Sequence, residues 1–292
     1  MSWVNAFKTV AVNVYTQNST LRTGTASMFD LIRRKSTKSL NPNRHSSICR
    51  RYPKDRTPCF DPSTITIEYG RQCHARLIRS FLYTEHWPRE PSVVGLWMPL
   101  ESPYLDTLTD MYSYSGDRFL AYERIKRTNE RKLVGVCVCT KQYPWMIDEL
   151  EEWAHVTASR PERHRMYFCA HCLKSPNFFK KYNVDFIYEI EVLCVAQEVA
   201  SHGVGLMLVK KALAHAEDLR YPLVQNIAVS QYTASLCERA GMKRDWTMDY
   251  SEFVDAAGQR VFFPRRPHHT VGIYVKYFDP KKSLELPCKK PF

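Results

Sequence analysis

The sequence predicts a three-layer domain of the α/β (α+β) class, a mixed central β-sheet flanked by helices. Three observations carry this. Arg118–Arg124 and Lys132–Thr140 are two strand-like runs on either side of the turn-prone Arg127-Thr128-Asn129-Glu130, the pattern of a hairpin. Tyr188–Ala196 is a third, strongly strand-like run. Between it and a further strand at Leu223–Ser230, the residues Leu206, Val209, Leu213 and Ala216 fall on one helical stripe. Strands and helices without strict alternation point to layered packing around one sheet.

The remaining elements follow in order. Thr64–Tyr69 alternates as a strand, and Ala75, Leu77, Ile78, Phe81 and Leu82 give Arg71–Tyr83 a helical period. Val93–Leu100, after Pro91, reads as a helix, and so does Tyr104–Tyr112. Residues 145–182 are helical in pattern, with interruptions at Pro161 and Pro176. Thr233–Arg239 is a helix stopped by Gly241. Lys243–Tyr250 is extended, and Val271–Phe278 is the last strand. No internal repeat is visible.

Composition narrows the class. The chain has 292 residues, 44% hydrophobic and 25% charged, the make-up of a globular protein. No run approaches the roughly 20 apolar residues of a membrane-spanning helix, and the N-terminal residues lack the features of a secretory signal. The formal net charge is +12, of which residues 1–60 supply +9. Residues 1–62 carry seven Ser, seven Thr, Arg33-Arg34-Lys35 and Arg50-Arg51 with no apolar period, so they read as a basic, disordered tail. The ordered domain is expected over 63–280, followed by a short tail at 281–292. The ten cysteines are irregularly spaced and read as reduced thiols. A cytoplasmic protein is expected, with mitochondrial targeting by the tail as the alternative.

Residues 190–218 carry the chemistry. A buried-type strand runs into a short loop, and Gly203-Val204-Gly205 opens the amphipathic helix. Glycines let backbone N–H groups approach a ligand, and a helix N-terminus favours an anion such as pyrophosphate. Strand, GxG loop, helix, strand and then Tyr232-Thr233-Ala234-Ser235-Leu236-Cys237 resemble the Gcn5-related N-acetyltransferases (GNAT). The segment His86-Trp87-Pro88-Arg89-Glu90-Pro91 is similar to the EP-containing segment of arylalkylamine (dopamine-type) N-acetyltransferases. Tyr182-Asn183-Val184-Asp185 and Pro267-His268-His269-Thr270 are similar to further segments of that group, in the same order. The likeness spans residues 64–279.

The resemblance implies the activity and the site. Acetyl-CoA would be the cosubstrate, and a small amine such as dopamine, tyramine, octopamine, serotonin or tryptamine the acceptor. Glu90 would be the general base that takes the amine proton. Backbone groups of Leu193, Cys194 and Val195 would hold the pantetheine arm, and the loop Ala200, Ser201, His202, Gly203, Val204 and Gly205 the pyrophosphate. Thr233 would stand near the thioester, and His269 would join a proton path or line the amine pocket. The chain departs from the pattern at Ala200, where the family has Arg or Gln, and at Cys237, where many members have a tyrosine acid. Those departures keep open a GNAT-fold protein that binds without catalysis, and a protein or polyamine acetyltransferase. The basic tail raises nucleic acid as a partner of another class, disfavoured here.

Cys169-Ala170-His171-Cys172 is a CxxC inside a helical pattern with no second ligand pair, so packing is expected there and no metal. No membrane partner is expected, and the oligomeric state is left open.

Overall fold

The computed structural model describes residues 62–278, except 126 and 127. The tail read over 1–62, its last residue apart, its targeting role and the tail at 281–292 lie outside the described residues.

Seven strands form one mixed sheet in the order β1-β2-β3-β4-β5-β7-β6. They are β1 (Ile65–Tyr69), β2 (Asp117–Arg124), β3 (Arg131–Gln142), β4 (Ile187–Val195), β5 (Leu223–Ala228), β6 (Lys243–Asp249) and β7 (Thr270–Tyr277). The first four pair antiparallel in sequence order, and β4 and β5 are parallel. Strand β7 then runs antiparallel between β5 and β6. Each strand expected from alternation is present within two residues of its expected ends.

One face of the sheet is covered by α7 (Val204–Asp218), which lies across β1 to β4, and α8 (Gln231–Arg239), which packs on α7 and on β5 to β7. Gly135 of β3 lets α7 come close, because a Cβ there would stand 2.9 Å from Leu208 Cδ1. The other face carries α1 (Ala75–Phe81), α2 (Pro91–Val94), α3 (Pro103–Tyr114), α4 (Met146–Val156), α5 (Arg160–Lys174) and α6 (Phe178–Tyr182). Trp87, fully buried, anchors this layer by donating from Nε1 to Thr109 Oγ1 at 2.7 Å.

Two helical readings change. The helix expected over Val93–Leu100 is one turn, Pro91–Val94, because Gly95 caps it and Trp97 adopts φ +50°, a left-handed conformation no helix continues through. The long pattern over 145–182 is three helices. Pro161 does not interrupt one of them. It sits in the first turn of α5, where its missing N–H costs no hydrogen bond.

Candidate active site

Strands β4 and β5 pair only through Tyr188↔Val224 and Glu189↔Gln225, after which Asn226 Nδ2 donates to Ile190 O at 2.6 Å. On the β3 side, Val138 faces Val192 and Cys139 faces Ile190, so Glu191 is an extra, bulged residue. Beyond the bulge β4 leaves β5, and one main-chain edge of β4 opens into a wedge. The Ala196 N–H donates to Val134 O at 2.9 Å. By the alternation of antiparallel ladders, the main chain of Cys194 then faces β3, whereas Leu193 and Val195 present N–H and C=O groups to the wedge. Of the three residues expected to hold a pantetheine arm, Leu193 and Val195 have this geometry. Cys194 does not. Its thiol lies on the helical face beside Arg89, and burial pushes it up to about 12.

The loop after β4 leads to the N-terminus of α7. Ser201 (φ +67°) and Gly203 (φ +89°) are both left-handed and turn the chain so that α7 starts at Val204. The first N–H groups of a helix have no intrahelical acceptor, so they point out of this turn as anion donors. Ala200 and Ser201 are exposed and add no cation. The two glycines differ in role. A Cβ on Gly203 would meet nothing within 4 Å, whereas one on Gly205 would stand 2.8 Å from Leu236 Cδ1. The missing side chain of Gly205 thus admits α8. Gly203→Val should cost at least tenfold in acetyl-CoA affinity by straining the turn. Gly205→Val should instead lower stability by about 1–3 kcal/mol through overpacking. Calorimetry and thermal melting on both variants check the division.

Glu90 stands across the wedge on the helical side, 6% exposed. It is the N-cap of α2, accepting from Val93 N–H at 2.6 Å, while Ser92 Oγ donates to its two oxygens at 2.8 and 2.9 Å. Arg165 of α5 places a guanidinium nitrogen 3.9 Å from Glu90 Oε1. The same guanidinium donates to Tyr104 OH at 2.7 Å and Ser92 Oγ at 3.2 Å, and lies 5.7 Å from the Trp87 ring. Farther along the same sheet face, Glu191 accepts from Tyr112 OH and Thr140 Oγ1, each at 3.1 Å, and from Gln142 Nε2. Burial raises its carboxyl. Glu189 beside it accepts from Gln225 Nε2 at 2.7 Å, and burial, then the Glu191 charge, pushes it well up. The buried Glu189 and the half-buried Glu191 thus share this sheet face with Arg165, whose charge acts on Glu191.

A turn preceding Glu90 holds it against β4. Arg89 donates to Val195 O at 2.8 Å and pairs with Glu85 at 2.9 Å, and Glu85 also accepts from the Gln197 N–H at 3.1 Å. His86, half-buried on the same turn with its ring 4.6 Å from that of Trp87, is held down at about 3 by burial and by the charges of Arg165 and Arg89. It is a neutral imidazole.

The other expected residues are more scattered. Thr233 is half-buried near the start of α8, its hydroxyl 3.3 Å from the capping Ser230 Oγ. Cys237 is buried and donates to Asn226 Oδ1 at 3.4 Å, with burial raising the thiol to about 12. His269 is exposed, and its carbonyl accepts from Tyr250 N–H. Its neighbour His268 is the half-buried one: its Nδ1 accepts from Gln231 N–H at 3.2 Å, and burial, then the charge of His269, lowers it, with Glu90 acting the other way. Arg165, Ser92 and His268 were missed by sequence reasoning. The repeated histidine in Pro267-His268-His269-Thr270 was the available signal for the last of these. Cys169 and Cys172 lie on α5, and burial raises both thiols. Among the described residues no group of three or more His, Cys, Asp or Glu side chains is placed to hold a metal ion, and no helix is long and apolar enough to cross a membrane.

No protein-family model and no curated protein sequence matches the chain. Solved structures do. A mosquito arylalkylamine N-acetyltransferase like 5b matches with TM-score 0.67 at 17% identity, over 73% of this chain and 100% of that one. The Drosophila melanogaster polyamine N-acetyltransferase matches with TM-score 0.64 at 21% identity, over 73% and 100%. Arylalkylamine N-acetyltransferase 2 from Aedes aegypti matches with TM-score 0.63 at 19%, over 74% and 99%. At these identities the likeness is one of architecture: the chain has the fold of the Gcn5-related N-acetyltransferases, as its arylalkylamine and polyamine members display it.

Proposed function

We propose that the chain is an acetyl-CoA-dependent N-acetyltransferase acting on a small amine. The observation that carries the reading is the wedge between β4 and β5, with the Glu90 turn fastened to its rim through Arg89 and Val195. The Leu193 N–H and C=O and the Val195 N–H, on the open edge of β4, fit the amides of a pantetheine arm, and the first turn of α7 fits a pyrophosphate. Acetyl-CoA, when bound, supplies the thioester carbonyl that the amine attacks.

The chain's own residues supply the rest. An alkylammonium is not nucleophilic, so a carboxylate must take its proton, directly or through water. Glu90 is the candidate, already fixed by the Val93 N–H and Ser92 hydroxyl and so needing little reorganisation. His268 lies within its electrostatic reach. Thr233, at the start of α8, is the candidate to give a proton to the departing thiolate. Trp87, Tyr104 and Tyr112 supply aromatic wall, in keeping with an arylalkylamine such as dopamine, tyramine, octopamine, serotonin or tryptamine.

Two departures favour a second reading, binding without turnover: Ala200 brings no cation to the loop, and Cys237 is a buried thiol where a tyrosine acid would stand. A thiol-release assay with acetyl-CoA across arylalkylamines, polyamines and a histone-tail peptide decides. Release with the arylalkylamines at least tenfold above the others is expected. Calorimetric binding of acetyl-CoA with no release from any amine would favour the second reading.

A further inference from the structure

The contacts of Arg89 leave one edge of a guanidinium unspent. Its Nε donates to Glu85 O at 2.7 Å, and one terminal nitrogen serves both the Glu85 carboxylate at 2.9 Å and Val195 O at 2.8 Å. The other terminal nitrogen makes no hydrogen bond or ion pair among the described residues, and the side chain is 38% exposed. Its place is specific. Val195 O belongs to the open edge of β4, and Val195 Cγ2 is 3.6 Å from where a Cβ of Gly205 would be, in the first turn of α7. The Gln197 amide is tied to the same Glu85. Arg89 thus stands at the strand edge, on a turn that Glu85 ties to the first residues of the loop.

That loop, Ala196–Gly205, contains neither Lys nor Arg. Its acid, Glu198, is paired with Lys132 at 2.6 Å. A nucleotide pyrophosphate there would meet backbone donors and His202 but no guanidinium from the loop itself. Arginine matches phosphate oxygens with a planar fork of donors and stays charged, so a partly exposed one with a free edge is suited to the task.

We propose that Arg89 is a phosphate-recognising residue of the acyl-CoA site, supplying from the turn before Glu90 the cation that the loop lacks at Ala200. This rests on the acyl-CoA reading above and adds where its anionic end is gripped. Glu85 is the tempering counter-charge: it orients the fork and reduces its pull on an anion. One residue then touches the rim of the wedge while its neighbour, Glu90, serves the amine, so cofactor and base are carried on consecutive positions.

The test is calorimetry on the full chain with two probes, acetyl-CoA and acetyl-pantetheine, which has the same thioester arm and no phosphate. Arg89→Met should weaken acetyl-CoA about tenfold or more, the scale of one charge-assisted contact. It should leave acetyl-pantetheine within about twofold. Ala200→Arg added to Arg89→Met should restore most of the loss, and Glu85→Gln alone should tighten acetyl-CoA, since Gln still accepts from Gln197 N–H without the opposing charge. The acetyl-CoA affinity of the unaltered chain should fall more steeply with potassium chloride than that of Arg89→Met. Equal losses for both probes would make Arg89 a structural clamp and overturn the proposal, as would unchanged acetyl-CoA binding. Should Arg89→Met fail to fold, Glu85→Gln decides, and no tightening overturns it. Acetyl-pantetheine binding by the unaltered chain with no gain from the phosphates would sink this assignment alone. Binding of neither probe would sink the acyl-CoA reading with it.

Discussion

Glu90→Gln should lower kcat/KM by about 10²–10⁴, the range for losing a general base, while acetyl-CoA affinity stays within twofold. The loss should shrink as pH rises, because more of the amine then arrives unprotonated and needs no base. The structure adds a second readout. Glu90 also caps α2 and binds both Ser92 and Arg165, so the amide should cost about 1 kcal/mol of stability for the cap and more for leaving the buried Arg165 guanidinium without its anion. A Gln side chain still accepts from Val93 N–H, and the Ser92 hydroxyl can turn to accept, so the fold should survive. Steady-state rates from pH 6 to 9, paired with urea unfolding, separate the two effects. Neutral-pH kcat/KM equal to that of the unaltered chain, with chemistry limiting, would remove Glu90 from the reaction and leave it a cap.

The largest stability effect is expected at Arg165. It is buried, and Arg165→Met leaves the Glu90 carboxylate without its cation, Tyr104 without its donor and Trp87 without the cation beside its ring. Removing one partner of a buried pair typically costs 3–5 kcal/mol, much of it the orphaned charge. The double variant Glu90→Gln, Arg165→Met should therefore be less destabilised than the sum of the single changes by about 1 kcal/mol or more. Chemical unfolding of the three variants completes the cycle. Strict additivity would mean that the 3.9 Å pair does not couple.

Why one of these residues was legible in the sequence and the other was not is a matter of range. Glu90 stands in a local motif, next to a proline that starts a helical turn. Arg165 is joined to Ser92 and Tyr104 across 73 and 61 residues, and in the sequence it is one more charge on an amphipathic helix. The strands were readable because alternation and β-branching are local, and α7 because its apolar stripe is unbroken. Trp97 was misread for a related reason. Val93 to Leu100 has helical composition, but the chain is turned by Gly95 and by the pairing of Phe263 N–H with Gly95 O, a contact supplied from a distant segment. The splay of β4 from β5 was likewise invisible, since the bulge at Glu191 is a property of register between strands. The two histidines at 268 and 269 show the finest limit. Sequence placed the pair, and only packing shows which one is turned inward.

The short pairing of β4 with β5 also bears on how the chain assembles. Strands β1 to β4 are successive antiparallel neighbours, although long helical segments separate β1 from β2 and β3 from β4, so only the β2–β3 hairpin is local. Strands β5, β7 and β6 form a second group, with β7 between the other two, joined to the first by two residue pairs and the Asn226–Ile190 bond. So weak a seam in the main-chain ladder cannot by itself align the halves. The alignment falls to α7 and α8, whose mutual packing through Gly205 and Leu236 bridges the two groups on one face. The sheet is thus better regarded as two plates brought into register by a helical buckle.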